Sequence, residues 1–259
     1  MAGNMRLKQK LSLGQPVVGT FLNANDPAIV EVLGLAGFDF VVVDTEHGNL
    51  FYHEMESAIR AADVVGLSVI VRTGDGSRIP ILKALDTGAD GVLVPMINNP
   101  AQALETVHNA HYPPIGTRGL SSSNRAIRYG FASRDAYIQG SAENTLVAVQ
   151  IETQDAVEHV HEIASIDGVD LLFVGPSDLS MSLQSLGDPK SRKMESAIQE
   201  ILSAAKTHGK ALGTFVNTEE QLDEALSRGM QFIIWGTALG FVASSAKSTI
   251  AAWNKRKER

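Results

Sequence analysis

Short apolar runs punctuate the chain, and stretches with helical spacing fill the gaps between them. Eight runs stand out: PVVGTFL (16–22), FDFVVVD (38–44), LSVIVR (67–72), DGVLVPM (90–96), TLVAVQIE (145–152), VDLLFVGP (169–176), KALGTFV (210–216) and MQFIIWG (230–236). Their β-branched and aliphatic residues lack polar alternation, the pattern of parallel strands buried on both faces. Between them PAIVEVLGLAG (27–37), IPILKALDTG (79–88) and TEEQLDEALSRG (218–229) repeat their apolar residues at a period near 3.6. Each closes on a glycine, the usual residue past a helix C-terminus. Strand and helix alternating eight times in one chain predict a (β/α)8 TIM barrel, with an open doubly wound sheet as the alternative.

The expectation is one domain over 1–259, with a barrel core of about 16–240 and a C-terminal helix of about 238–256. No Gly/Ser/Pro linker divides the chain. The longest departure from the alternation is the polar segment 111–144, between the fourth and fifth runs. Long loops in compact domains are often functional.

Composition narrows the function classes. A formal charge of −7 over 259 residues offers no basic footprint for nucleic acid. Without cysteine there is no disulfide, thiolate nucleophile or cysteine metal site. No apolar run approaches the ~20 residues that span a bilayer, so no membrane partner is expected. The basic N-terminus MAGNMRLKQKLSLGQ lacks the apolar core of a signal peptide, and a cytoplasmic location is expected.

Barrel enzymes work at the carboxyl ends of their strands. The second run ends there in Asp44, Thr45, Glu46 and His47, the third in Arg72, the fifth in Gln150 and Glu152, and the sixth in Gly175, Pro176, Ser177 and Asp178. Alternate strand residues share a face, so Gln150 and Glu152 point together into the mouth while Ile151 faces the helices. Asp178, one strand over, can meet Glu152. Two carboxylates plus water form a hard, incomplete oxygen shell suited to Mg²⁺ or Mn²⁺. The same acids also suit helix N-termini, and spacing alone does not choose. Arg72 reads either as a clamp for an anion or developing oxyanion, or as an ion-pair partner of Asp44 or Glu46. His47 reads as a general base or as a surface residue. No lysine stands on a strand near this rim, so imine chemistry is not expected.

Six motifs carry a resemblance: DTEHG (44–48), the arginine of VIVR (69–72), LKALDTGADGVLVPM (82–96), YPPIGTRG (112–119), VQIET (149–153) and VGPSDLS (174–180). In that order, over about Gly19 to Gly236, the chain resembles the metal-dependent class II pyruvate aldolases of the 4-hydroxy-2-oxoheptane-1,7-dioate and 2-dehydro-3-deoxyglucarate type, relatives of the citrate lyase β-chain. The resemblance implies aldol cleavage and condensation of 4-hydroxy-2-oxo acids, giving pyruvate and an aldehyde through a metal-stabilised enolate, in aromatic or sugar acid catabolism. It implies a divalent ion (Mg²⁺ or Mn²⁺, with Co²⁺ as a further choice), no organic cofactor, and a homohexamer of paired barrels that exchange the C-terminal helix. Carried over residue by residue, it makes Glu152 and Asp178 the metal ligands. Gln150, Ser177 and Asp178 would line the 2-oxo acid site, with the Gly175–Pro176 loop facing its carboxylate. His47 matches the proton acceptor and Arg72 the group at the enolate oxygen. Asp86, or alternatively Asp44, matches the acid that supports the histidine.

Two departures stand out. DTEH replaces DGEH, and Phe21 stands where several relatives carry tryptophan, which leaves the aldehyde open. Polar residues of 120–130 are expected to help choose it, across a subunit boundary if need be. Two other readings compete. An acyl-CoA lyase of the malyl- or citryl-CoA type would use a basic rim patch, for which Arg118, Arg125, Arg128 and Arg134 are available. A non-catalytic binding barrel would lack the paired carboxylates.

Overall fold

The computed structural model describes residues 7–24, 26–48, 52–188 and 191–257; the first part of the N-terminal segment read for a signal peptide lies outside them. Its first half runs α1 (Leu7–Ser12), β1 (Val17–Leu22), α2 (Pro27–Ala36), β2 (Phe40–Asp44), α3 (Tyr52–Val65), β3 (Ser68–Arg72), α4 (Arg78–Asp86), β4 (Gly91–Val94) and α5 (Pro100–Ala110). Next come α6 (Arg134–Asn144), β5 (Leu146–Ile151), α7 (Gln154–Glu158), α8 (Val160–Ala164), β6 (Leu171–Val174) and α9 (Pro176–Ser182). The chain closes with α10 (Arg192–His208), β7 (Ala211–Val216), α11 (Glu219–Ser227), β8 (Phe232–Thr237) and α12 (Ala238–Lys257). The strands pair in sequence order and close into a parallel barrel. The three glycines expected to end helices, Gly37, Gly88 and Gly229, all take left-handed φ values of 100°, 96° and 80°.

Strand parity divides the apolar residues into two layers. Val41, Val43, Val69, Val71, Val147 and Val149 pack outward against the helices. Phe40, Val42, Ile70, Leu93, Phe173 and Phe232 fill the lumen. There Phe40 and Phe232 stack with ring centroids 4.1 Å apart. Burying each such side chain contributes about 1.5–3 kcal/mol.

Aspartates and a short helix build the floor of the barrel. Asp39, Asp90 and Asp170 immediately precede β2, β4 and β6. Each accepts a 2.9 Å hydrogen bond from a backbone N–H of the strand before it, at Val18, Val69 and Val147 respectively. Below them α1 closes the lumen, inserting Leu7 and Leu11 into the inner layer. Lys8 and Lys10 tie that helix to Asp170 at 2.9 Å and to Asp39 at 2.8 Å.

Because α5 descends from the carboxyl face, the insert that follows it starts at the floor. Segment 111–144 holds a 3-10 turn (Arg128–Gly130) and α6. The buried Arg118 side chain pairs there with Asp86 at 2.9 Å and lies 4.6 Å over the Tyr112 ring. Arg125 pairs with Asp63 near the end of α3. Arg118 and Arg128 line a cavity of about 580 Å³ with Lys10, Asp39, Asp90 and Tyr137, all on the amino-terminal side. Arg118, Arg125 and Arg128 thus lie away from the carboxyl rim, while Tyr129 bonds Glu56 and Arg60 on α3. At the other end of the chain, Phe241 packs on Phe38, but every residue from 242 to 257 is exposed. Among the described residues no helix is long and apolar enough to cross a membrane.

Candidate active site

The parity that fills the lumen with apolar side chains continues past them into polar ones. Asp44 and Arg72 end β2 and β3 directly opposite each other in register. Their side chains form a two-point ion pair, Nε to Oδ1 at 2.9 Å and Nη2 to Oδ2 at 2.7 Å. Asp44 Oδ1 also accepts the backbone N–H groups of Glu46 (3.1 Å) and His47 (3.2 Å). Thr45 donates its N–H and hydroxyl to the carbonyl of Arg72. A short polar turn of this kind favours an aspartate or asparagine at its start. The ionisable residues after the valines of β2 are therefore a folded turn, pinned to β3.

The turn raises Glu46 and His47 to the rim. Glu46 Oε2 lies 3.2 Å from Arg72 Nη1 and 3.9 Å from His47 Nε2. Arg72 pairs with both acids that the sequence offered, and this does not exhaust it. A guanidinium has five N–H donors. Asp44 takes two by hydrogen bond and Glu46 lies in ion-pair range of Nη1, which leaves N–H donors for another oxygen. Phe21, facing inward from β1, lies under the guanidinium with its ring centroid 4.4 Å from Cζ. Its ring thus supports the arginine as well as walling the mouth.

Across the mouth, the buried Glu152 is held from two sides. Its Oε1 accepts the backbone N–H of Met96 at 2.8 Å, and its Oε2 accepts the Gln150 amide. Gln150 Oε1 is buried and has no hydrogen-bond partner among the described residues. Met96 makes its contact from a left-handed backbone, φ 56°, uncommon for a side chain of that size. Gly175 is required for a different reason. A Cβ there would sit 2.4 Å from Glu152 Oε2. Pro176 opens α9 and places Ser177 and Asp178, both exposed, in its first turn.

Burial works to raise the Asp44 carboxyl. Hydrogen bonds and charge from Arg72, with the two turn N–H groups, outweigh it and hold Asp44 below the usual carboxylate range. Glu46 goes the other way: burial pushes it up, Arg72 and His47 oppose this, and the charges of Asp44 and Asp178 add to the rise. Burial also pushes Glu152 up against the pull of Met96 and Gln150, with further repulsion from Asp178 and Glu46. A rim that crowds like charges in this way fits a cation. Among the described residues no cluster of three or more His, Cys, Asp or Glu side chains is arranged for a metal. Glu152 and Asp178 interact electrostatically at this mouth as a pair of carboxylates.

Asp44, His47, Arg72, Gln150, Glu152, Gly175, Pro176, Ser177 and Asp178 all stand at this end of the barrel. Asp86 does not. It ends α4, at the floor, where it binds Arg118, and within one chain it is far from His47. Asp44 reaches His47 only through a backbone N–H. Two further residues serve the site: Glu46, offered by the sequence only as a partner for Arg72, also lies beside His47, and Met96, the last residue of LKALDTGADGVLVPM, holds Glu152 through its backbone, a role that its place in the motif does not mark.

Fold and rim together define a barrel enzyme that gathers acids, a guanidinium and an imidazole at one mouth. Residues 18–245 match the family described as HpcH/HpaI aldolase/citrate lyase. The chain belongs to that family and is a carbon–carbon lyase. It is 35% identical over 250 residues to a 5-keto-4-deoxy-D-glucarate aldolase of Klebsiella pneumoniae, covering 96% of this chain and 97% of the relative. A 2-dehydro-3,6-dideoxy-6-sulfogluconate aldolase of Pseudomonas putida is 32% identical, covering 93% of each chain. The crystal structure of a family protein from Burkholderia cenocepacia superposes with a TM-score of 0.91 at 30% identity, covering 96% of this chain and 98% of the other.

Proposed function

We propose that the chain is a divalent-metal-dependent aldolase that cleaves 4-hydroxy-2-oxo acids to pyruvate and an aldehyde, and catalyses the reverse condensation. The observation that carries this reading is the pair Glu152 and Asp178 facing the Asp44–Arg72 ion pair across one mouth. The relatives named as glucarate- and sulfogluconate-derived aldolases support a polar, acid-bearing aldehyde as the partner.

Glu152 and Asp178 would hold the ion, Mg²⁺ or Mn²⁺, with Co²⁺ a further choice. When bound it supplies positive charge that acidifies the methyl group next to the keto carbon. Gln150 and the Gly175–Ser177 loop border the 2-oxo acid. Arg72 presents its remaining N–H donors to the oxygen on which negative charge develops, and Asp44 fixes the plane of that guanidinium. His47 takes the proton of the 4-hydroxyl. The C3–C4 bond then breaks, its electron pair passing into the pyruvate fragment while the aldehyde carbonyl forms. A proton delivered to C3 completes pyruvate. Pyruvate release from a panel of 4-hydroxy-2-oxo acids, with Mn²⁺ or with EDTA, tests the reading. Release that survives complete chelation would refute it.

Gly175→Ala should act through Glu152 alone. The added methyl group displaces the carboxylate, and shifts of this kind at ligand supports cost roughly 10–100-fold in metal affinity or activity. Titration of Mn²⁺ against the variant, with circular dichroism to check the fold, reads the effect.

In the same reading α12 is the segment exchanged between subunits of a homohexamer built as a trimer of dimers. Its exposed Val242, Ile250 and Trp253 are unpaid apolar surface that an exchange would cover. A monomeric mass in sedimentation would refute that part.

A further inference from the structure

His47 carries the proton in this mechanism, yet neither acid expected to support it touches its ring. Asp44 spends both oxygens on Arg72 and the turn N–H groups. Asp86 is bound to Arg118 at the floor. The carboxylate beside the imidazole belongs to its chain neighbour, Glu46, whose Oε2 lies 3.9 Å from Nε2 and 3.2 Å from Arg72 Nη1.

We propose that Glu46 is the positioning residue of the reaction: a carboxylate that orients the His47 ring while its same oxygen braces Arg72. The inference rests on the aldolase reading for its kinetic consequence, but the contact itself does not.

At 3.9 Å the pair is an ion-pair contact and not a hydrogen bond, and the negative charge of Glu46 favours the tautomer that turns an Nε2–H toward it. Nδ1 is then the free basic nitrogen. When Nδ1 gains the proton, the new positive charge lies against Glu46. The same oxygen steadies the Arg72 donors, so base and oxyanion group share one support. The Asp44 turn holds that support by the backbone, since it accepts the N–H groups of both Glu46 and His47. The side chain of His47 is 67% exposed, so no buried packing fixes its ring in place of this contact.

Two measurements on the full-length protein test the proposal, using wild type, Glu46→Gln and Glu46→Asp. The first is independent of turnover. Diethyl pyrocarbonate acylates imidazole nitrogen, and peptide mass spectrometry gives the rate at His47 relative to the exposed His53. Glu46→Gln should slow His47 several-fold against His53, and Glu46→Asp should restore part of the rate. The second is kinetic: in Glu46→Gln, kcat should fall about 10-fold or more while KM for the oxo acid stays within about 2-fold. A raised KM with kcat intact would mean that Glu46 serves Arg72 alone, and overturns the proposal. An acylation ratio that ignores Glu46→Gln, or follows Asp86→Asn instead, overturns it whatever the kinetics show. Wild type that releases no pyruvate sinks the aldolase reading, and the acylation ratio still decides the contact.

Discussion

The Glu152→Gln variant is expected to fold as wild type does and to lose pyruvate release by about 10³-fold or more. A bound divalent ion contributes several kcal/mol of charge stabilisation, and each 1.36 kcal/mol is about tenfold in rate. The fold should survive because an amide oxygen can still accept the N–H of Met96. The unpartnered oxygen of Gln150 can turn to accept from the new amide. Removing one of three crowded charges also relieves repulsion from Asp178 and Glu46. The metal-free variant should therefore melt at or above the metal-free wild type. Only wild type should gain thermal stability on adding Mn²⁺, since an ion stabilises the state that binds it. The pH dependence has a definite sign. Burial raises the Glu152 carboxyl above its ordinary 4.5, so protons compete with the ion before the pH has fallen that far. Mn²⁺ affinity should weaken as the pH falls from neutral toward 4.5. A variant that retains turnover, or keeps its thermal response to Mn²⁺, would remove Glu152 from the site.

Arg72 carries the second large effect, and here structure changes the expectation. Loss of one preorganised donor at a developing oxyanion costs about 10²–10³ in rate. The guanidinium also neutralises the buried Asp44 through two hydrogen bonds. Breaking such a pair from one side costs about 3–5 kcal/mol. At roughly 2–4 °C per kcal/mol for a chain of this size, Arg72→Ala should lower the melting midpoint by about 6 °C or more. Arg72→Lys separates the two roles. It keeps the charge near Asp44 but loses the planar fork, so turnover should fall by about 10² with a much smaller change in melting. Near-normal turnover in the lysine variant would show that Arg72 only holds the turn.

Strand parity made most of this legible in advance. Once β5 was read as VAVQIE with Gln150 and Glu152 on one face, its placement opposite β6 brought Asp178 within range. The same alternation could have located Asp86. A residue ending the helix after β3 must lie at the floor, whatever motif it belongs to. The insert after α5 obeys the same geometry. Arg118 and Arg125 therefore sit among Asp63, Asp86 and Tyr112, away from the rim. Other features leave no pattern. The left-handed backbone of Met96 depends on how the chain leaves β4, and helix α1 is one and a half turns whose two leucines gain meaning only beneath a closed lumen.

That stopper has a kinetic consequence. With Leu7 and Leu11 sealing the lower end, traffic enters and leaves by one door. A keto acid seated against the acids beneath the aldehyde would be the last guest out, so departure should follow a strict queue.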